Sequence, residues 1–378
     1  MFKRKSLTAL FLGLLIFFNL TATPVLAGQL MQAQKFIDLD QPDERWGKPV
    51  FAYGQDLSEA ELIETAMLFG IRDWAQVKPI AISAADRIRY VDPTADPGAR
   101  MFSSVLVQRR DSGLGVQVYL MTPEQITNIT AAQYAGSAIT AGVTDARIVV
   151  GTVKQATGDS ALTGVYKAFA QEGEELSEAR VQLAQEELEL VSSIAQENAA
   201  KEGFSILSYD QAMVEIKKLL AARTEELSQA LKPGELDSAE AEEKLKLSPS
   251  EIAKVVEEVL QDFDLGQILS AEQQAELSNY FSKWQQSDAA KSDEIKEQLK
   301  DLADRLINYG SQLVQELKDN GSLDKVKDLS IEGLKKAGEL AKEGYRQAEE
   351  SGLLSQIGNF VKQLVTELFN SLRKIFSN

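Results

Sequence analysis

The chain has 378 residues, a net charge of −17, no Cys and no His. The two zeros exclude a disulfide framework, a thiol nucleophile, an iron–sulfur cluster, a Ser-His-Asp triad and a His-ligated zinc site. An enzyme on this chain would work with Asp/Glu, Lys, Tyr, Ser/Thr or an oxygen-ligated metal, and the composition, 44% hydrophobic and 26% charged, is that of an ordinary globular protein.

The first segment reads as an address. Lys3-Arg4-Lys5 is a basic start, Leu7 to Leu20 an apolar run, and Ala22-Thr23-Pro24-Val25-Leu26-Ala27 offers small residues for cleavage after Ala27. That pattern predicts a secretory signal peptide; an uncleaved N-terminal anchor is the alternative, although the run is short for a span. Removal of three basic residues leaves a mature charge of −20. The expectation is an extracytoplasmic protein, secreted or associated with the cell envelope. Its lack of Cys suits a Gram-positive exporter. Asn128-Ile129-Thr130 and Asn320-Gly321-Ser322 match glycosylation sequons, which in a bacterium are chance matches.

The remaining chain divides by composition. Residues 28–170 hold 16 acids, 13 bases and six prolines; residues 171–378 hold 41 acids, 24 bases and only Pro233 and Pro249. The predicted layout is a mixed α/β domain over 28–170, an acidic helical region over 171–320, and a Gly/Ala-rich helix with a terminal amphipathic helix over 321–378. The fold class is α+β: a small sandwich of about five strands followed by a long, mostly helical region.

Strands are expected at Pro49–Tyr53 and Val77–Ile82. Ser58 with Glu61 forms a capping box that opens a helix through Phe69. Ser104–Arg110 and Gly115–Met121 alternate at period two around Asp111-Ser112-Gly113-Leu114, which predicts a hairpin with Arg109-Arg110 at its tip. A helix over Ala131–Ala141 is ended by Gly142. A strand at Ala146–Val150 and a helix from Ser160 to Gln171 close the domain. In the second half, helices are expected at Glu174–Glu202 and Ser208–Leu231. A third opens at Ser248-Pro249-Ser250-Glu251, with Pro in its first turn. Ile295, Leu299, Leu302, Leu306, Tyr309 and Leu313 form a heptad seam of about three repeats, read as buried within the same chain rather than as a dimeric coil.

Two features stand at the C-terminus. Gly333, Ala337, Ala341, Gly344 and Ala348 put small side chains on one helical face, consistent with close packing or with a weak helix. Leu353, Ile357, Phe360, Val361, Leu364, Leu368, Leu372, Ile375 and Phe376 follow helical spacing, with Lys362, Arg373 and Lys374 against Glu367. This helix packs on the others, or Ile357, Phe360, Leu364, Leu368, Leu372 and Phe376 form a face for a membrane surface or a partner.

Motifs for chemistry are weak. Asp38-Leu39-Asp40 is followed by Pro42 and lacks the glycine of a calcium loop. Gly158 and Gly164 are followed by no Gly-Lys-Ser/Thr, and Ser322-Leu323-Asp324-Lys325 lacks the partners of its motif. Gly158, Ser160 and Thr163 are weak anion or ligand candidates, because a glycine precedes a helix start whose N–H groups face outward; capping by Asp159 is the competing reading. Asp86, Asp92 and Asp96 surround a Pro-rich loop and read as solvated, with carboxylate or Ca²⁺ chemistry as the alternative. The charge disfavours nucleic acid. No cofactor and no catalytic or metal residue is assigned.

The order of several blocks resembles a known family. Gly54-Gln55-Asp56-Leu57-Ser58, Ser103-Ser104-Val105, Gly113 to Val118, Thr140-Ala141-Gly142-Val143-Thr144-Asp145-Ala146, Ala161-Leu162-Thr163-Gly164-Val165-Tyr166-Lys167-Ala168 and Asp293-Glu294-Ile295-Lys296-Glu297-Gln298-Leu299-Lys300 are similar to a family of secreted, mostly Firmicute proteins. It is known only as domain of unknown function one thousand and two. The resemblance covers about residues 50–310 and implies export, a bacterial source and a two-part layout; it brings no catalytic residue. The Pro-rich Asp92–Arg100 and the Thr157-Gly158-Asp159 approach depart from the family pattern. Function is therefore expected to be non-catalytic binding of an unknown protein or small ligand. A carboxylate- or metal-dependent hydrolase of envelope polymers and a membrane-surface structural protein are the alternatives.

Overall fold

A computed structural model describes Leu39 and residues 45–319 except 127, 202 and 232–242, with the side chains of Asp159 and of residues 310–319 left aside. The Gly/Ala-rich stretch and the terminal amphipathic segment, including Ile357, Phe360, Leu364, Leu368, Leu372 and Phe376, lie outside the described residues. The described chain is α+β and forms two compact units. One contains residues up to Thr127 together with Asp145–Glu174; the other contains Asn128–Thr144 and the chain from Glu175 onward.

The first unit is built on a mixed five-stranded sheet, in the order β2-β1-β3-β5-β4. Its strands are β1 (Val50–Gly54), β2 (Lys78–Ile82), β3 (Ser104–Arg109), β4 (Gln117–Leu120) and β5 (Ala146–Gly151). β1 runs parallel to β2 and antiparallel to β3, β3 antiparallel to β5, and β5 parallel to β4. The alternation of side chains feeds two layers. Phe51, Leu106 and Val149 join Ala66 and Phe69 of α1 (Glu59–Leu68) and its exit, with Ile71 and Val77, in one cluster. On the opposite face lies α4 (Asp159–Gln171), which packs on β1, β2, β3 and α2 (Ala84–Tyr90). Gly164 lets α4 sit close: a Cβ there would come within 2.7 Å of Ile82 and Val105 and 3.0 Å of Ala52. Gly164→Leu should lower stability by about 1–3 kcal/mol through overpacking, while Gly164→Ala costs less because helix propensity offsets part of the strain. Thermal melts of the two variants check the order.

The hairpin expectation is corrected by this topology. β3 and β4 do not pair; β5 lies between them. Every residue of β3 is buried, whereas β4 is half-buried throughout and forms an edge. The apolar run Ile148-Val149-Val150 satisfies backbone partners on both sides, which a local reading of two period-two segments and a turn does not register. Arg109 is correspondingly not a tip residue but a buried one. Asp86, expected beside a Pro-rich loop, instead lies in α2, which starts at a capping box formed by Ser83 and Asp86.

The second unit is helical: α3 (Ala131–Ala141), α5 (Glu178–Asn198), α6 (Ile206–Ala230), α7 (Pro249–Asp262), α8 (Ala271–Gln286), the short α9 (Asp288–Lys291) and α10 (Asp293–Asp319). The composition boundary at residue 170 falls close to the junction at Glu174, but residues 128–144 lie with the helices rather than with the sheet. The reason is in the sequence of α3. Gln133 through Ala141 are buried without a break, and Ala135, Gly136, Ser137, Ala138 and Ala141 are small enough for α5, α6 and α10 to surround the helix. Of the heptad seam on α10, Ile295, Leu299 and Leu302 are buried, while Tyr309 is 58% exposed. No helix among the described residues is long and apolar enough to cross a membrane.

Candidate functional site

The helical unit contains a buried ionic centre that the sequence analysis did not nominate. On α5, Glu187 falls on the same face as buried Ala184, Leu188 and Val191; on α6, Lys217 falls among Met213, Val214, Leu220 and Ala221. These inward-facing charges were the legible signal. Lys217 Nζ pairs with Glu187 Oε1, the two side chains being 1% and 6% exposed. Lys217 also donates to the Gly136 carbonyl of α3 at 3.1 Å. Glu187 Oε2 accepts from the Thr140 hydroxyl at 2.6 Å and from Tyr280 of α8 at 2.8 Å. Trp284 Nε1 donates to Thr140 Oγ1 at 3.1 Å. One acid, one base, three neutral side chains and one backbone carbonyl thus join α3, α5, α6 and α8. Gly136 leaves room for this approach: a Cβ there would lie 3.1 Å from both Glu187 Oε1 and Lys217 Nζ, so both side-chain ends would have to shift by a few tenths of an ångström. Burial, then the neighbouring Glu187 charge, raises the Tyr280 phenol well above its ordinary range, so it remains a donor.

Both ends of α3 are held by the same unit. At its start, Thr130 caps the helix in a box with Gln133. Asp210 of α6 accepts from Thr130 Oγ1 at 2.8 Å and from Gln133 Nε2 at 3.0 Å. Burial without a cationic partner on those bonds raises the Asp210 pKa from 3.8 to about 7, the two hydrogen bonds offsetting only part of the effect. At its end, Gly142 takes a left-handed φ of +101° and Val143 bonds back to Ala138 at 2.9 Å. Arg180 of α5 then donates to the Thr140 and Ile139 carbonyls at 2.9 and 3.2 Å, placing a cation at the negative end of the helix. A void of about 10 Å³ lies between Ser137, Asp210 and Lys217, at the lower limit of room for one water.

The sheet unit uses its charges similarly. Arg109 forms a two-pronged bond to Glu174 at 3.1 and 2.9 Å and donates to the Asp145 carbonyl at 2.8 Å. Its guanidinium lies 5.0 Å from the Phe169 ring centre and 5.9 Å from that of Trp46, whose indole N–H also reaches Glu174 at 2.7 Å. Asp145 adopts a positive φ of 40°. Its carboxylate accepts the Gly113 and Gly115 amides at 2.9 and 3.0 Å, fixing the loop between β3 and β4.

The nominated carboxylates do not converge. Asp86 caps α2 and pairs with Lys167; Asp92 and Asp96 each accept a backbone N–H two residues ahead. Of the anion candidates, Gly158 is the N-cap of α4 with a φ of +102°, so Asp159 is already helical. The Ser160 hydroxyl is buried against that of Ser103, and Thr163 is fully buried. The three positions lie at one helix end, with neither hydroxyl open to solvent.

A different surface is open. Ile63 and Met67, four residues apart on the outer side of α1, are 46% and 69% exposed, and Trp74 is 43% exposed. With Ala66, Gly70, Ile71 and Arg72 they line a groove of about 410 Å³. Trp74 also stacks obliquely on Phe51, 6.1 Å between ring centres.

These features define a protein with a mixed-sheet unit and a helical unit organised round one polar-locked helix. The chain belongs to the family described as Protein of unknown function (DUF1002), which it matches over residues 53–302. It is 30% identical over 168 residues to the Uncharacterized protein YpuA of Bacillus subtilis (strain 168), a match covering 42% of this chain. The chain spans only about half, 56%, of that relative's length. No solved structure matches.

Proposed function

We propose that this is an exported, non-catalytic interaction protein of a bacterial envelope or secretome, binding a protein or small ligand. The observation that carries this reading is the inward use of its charge. Glu187 and Lys217 spend their polar atoms on one another and on α3, Asp145 and Glu174 hold a turn and a buried arginine, and Asp86 holds a helix start. Groups so committed stabilise geometry rather than move protons on a substrate.

Export is supported by the basic and apolar run before Ala27, and the acid excess of residues 171–378 suits an interaction surface on the helical unit. The spacing of Ile357, Phe360, Leu364, Leu368, Leu372 and Phe376, with Lys362, Arg373 and Lys374 beside them, supports contact with a membrane surface or partner through residues 353–378. N-terminal sequencing of protein recovered outside the cell should begin at Gly28, and crosslinking on intact cells should capture a discrete neighbour. A chain retained inside the cell with Met1 intact overturns the export reading. In lipid flotation, the full protein should rise with anionic vesicles and a chain ending at Ser351 should not; equal, negligible binding by both removes the membrane contact.

A further inference from the structure

We propose that Arg110 and Arg147, on one face of the sheet unit, bind the carboxyl terminus of a peptide, with Gln108 accepting its last peptide N–H. This names a ligand for the binding function proposed above and rests on that reading. Arg109 and Arg110 are neighbours in sequence with opposite fates. β3 runs antiparallel to β5 with Gln108 opposite Arg147, and the Arg110 N–H continues the ladder to the Asp145 carbonyl. Alternation sends Arg109 to the α4 side, where Glu174 and Phe169 hold it, and Arg110 to the side of Gln108 and Arg147. Gln117 of β4 lies opposite Arg147 in the same row. The row therefore runs from Gln108, which is 7% exposed, to the edge strand. Arg110, Arg147, Gln117 and Tyr119 are half-buried there. α1 packs over Leu106 and Val149, two residues further along the same strands.

Two cations are thus held together on a chain of net charge −17. Burial, then the charge of Arg110, lowers the pKa of Arg147 from its ordinary value, with Tyr119 acting in the opposite sense. The carboxylate of Asp145, the residue opposite Arg110, is spent on the Gly113 and Gly115 amides. No acid among the described residues forms an ion pair with Arg110. Independently, Gln108 Oε1 is buried with no hydrogen-bond partner among the described residues, a cost that a bound donor removes. The two needs define one chemistry. A carboxylate takes the fork of a guanidinium in two parallel bonds, and a donor next to that carboxylate satisfies Gln108. The last residue of a peptide carries both, one carbon apart. The Tyr119 hydroxyl donates to Gln117 Oε1 at 3.4 Å, which leaves the Gln117 amide as a further donor to the carboxylate. A fully ionised phosphate offers acceptors alone and leaves Gln108 unpaired.

Calorimetric titration of the full-length chain with acetyl-Ala-Ala-Ala, and with the same peptide as its carboxamide, tests the site. The acid should bind, and the amide at least about tenfold more weakly, as expected for loss of a charge-assisted hydrogen bond. Arg110→Gln and Arg147→Gln should each cost a similar factor and Gln108→Leu a smaller one, and added salt should weaken binding of the acid. Removing a cation relieves repulsion, so the unliganded Arg110→Gln protein should melt no lower than the parent. Equal binding of acid and amide, or binding of neither at millimolar concentration, overturns the proposal. So does a lower melting temperature of Arg110→Gln with peptide binding intact, which gives Arg110 a structural role. Inorganic phosphate bound more tightly than the acid overturns it as well, in favour of a general anion site. Crosslinking on intact cells separates this site from the wider reading. If the parent binds no peptide and the Arg110→Gln chain still captures the parent's neighbour, the site fails and the binding function stands.

Discussion

Lys217→Met should destabilise the protein by about 3–5 kcal/mol, the usual cost of leaving one member of a buried pair uncompensated. Met retains most of the aliphatic stem among Met213, Val214, Leu220 and Ala221, so the loss reports charge and hydrogen bonding rather than volume. Glu187 would then hold a buried negative charge with only Thr140 and Tyr280 donating to it. Adding Glu187→Gln should recover much of the loss, because a neutral amide still pairs with those two hydroxyls and no charge is left buried. Urea unfolding followed by Trp284, whose indole is fully buried and bonded to Thr140, measures both variants and gives the coupling between the two positions.

Asp210→Asn should stabilise the protein at about pH 8 and have little effect near pH 4. The sign follows from the direction of the shift. Burial raises the folded-state pKa from 3.8 to about 7, so between those values the folded chain binds a proton that the unfolded chain releases. Stability therefore falls as pH rises through that window. At about 1.4 kcal/mol per pH unit the fall reaches up to about 4 kcal/mol. Other acids face the same region: Glu187 lies across the void, Lys217 is its cation, and Tyr209 beside Asp210 is buried. Asn removes the titration while preserving both bonds, accepting from Gln133 and donating to the Thr130 hydroxyl. Urea midpoints of the two proteins across this range should converge at the acid end and separate at the alkaline end. Parallel curves contradict a proton-linked Asp210.

The parts of the fold that were legible are those set by neighbours in sequence. The capping boxes at Ser58/Glu61 and Ser248/Glu251 and the left-handed Gly142 all mark helix ends where the sequence places them. The strands too were visible, two as period-two alternation and the others as short apolar or β-branched runs. Their order was not, because the insertion of β5 between β3 and β4 is decided by which strand is buried on both edges, a property of the assembled sheet. The Ser83/Asp86 box shows that a local signal was also overlooked when prolines nearby suggested a loop. The polar centre was the least legible feature. Its members lie on four helices, and only the unusual placement of Glu187 and Lys217 on apolar helix faces announces them. The groove follows the same logic: Ile63 and Met67 are ordinary helix residues until the sheet is seen to cover the other side of α1.

On the function proposed above, the buried charges build the scaffold and a partner is held elsewhere on the surface. The most direct measurement is intact-cell crosslinking with the Glu187→Gln/Lys217→Met protein, after a melt has shown it folded. The double variant is expected to capture the same neighbour as the parent chain. A folded double variant that loses that neighbour, or a parent chain whose turnover of an envelope polymer disappears with this pair, would contradict it.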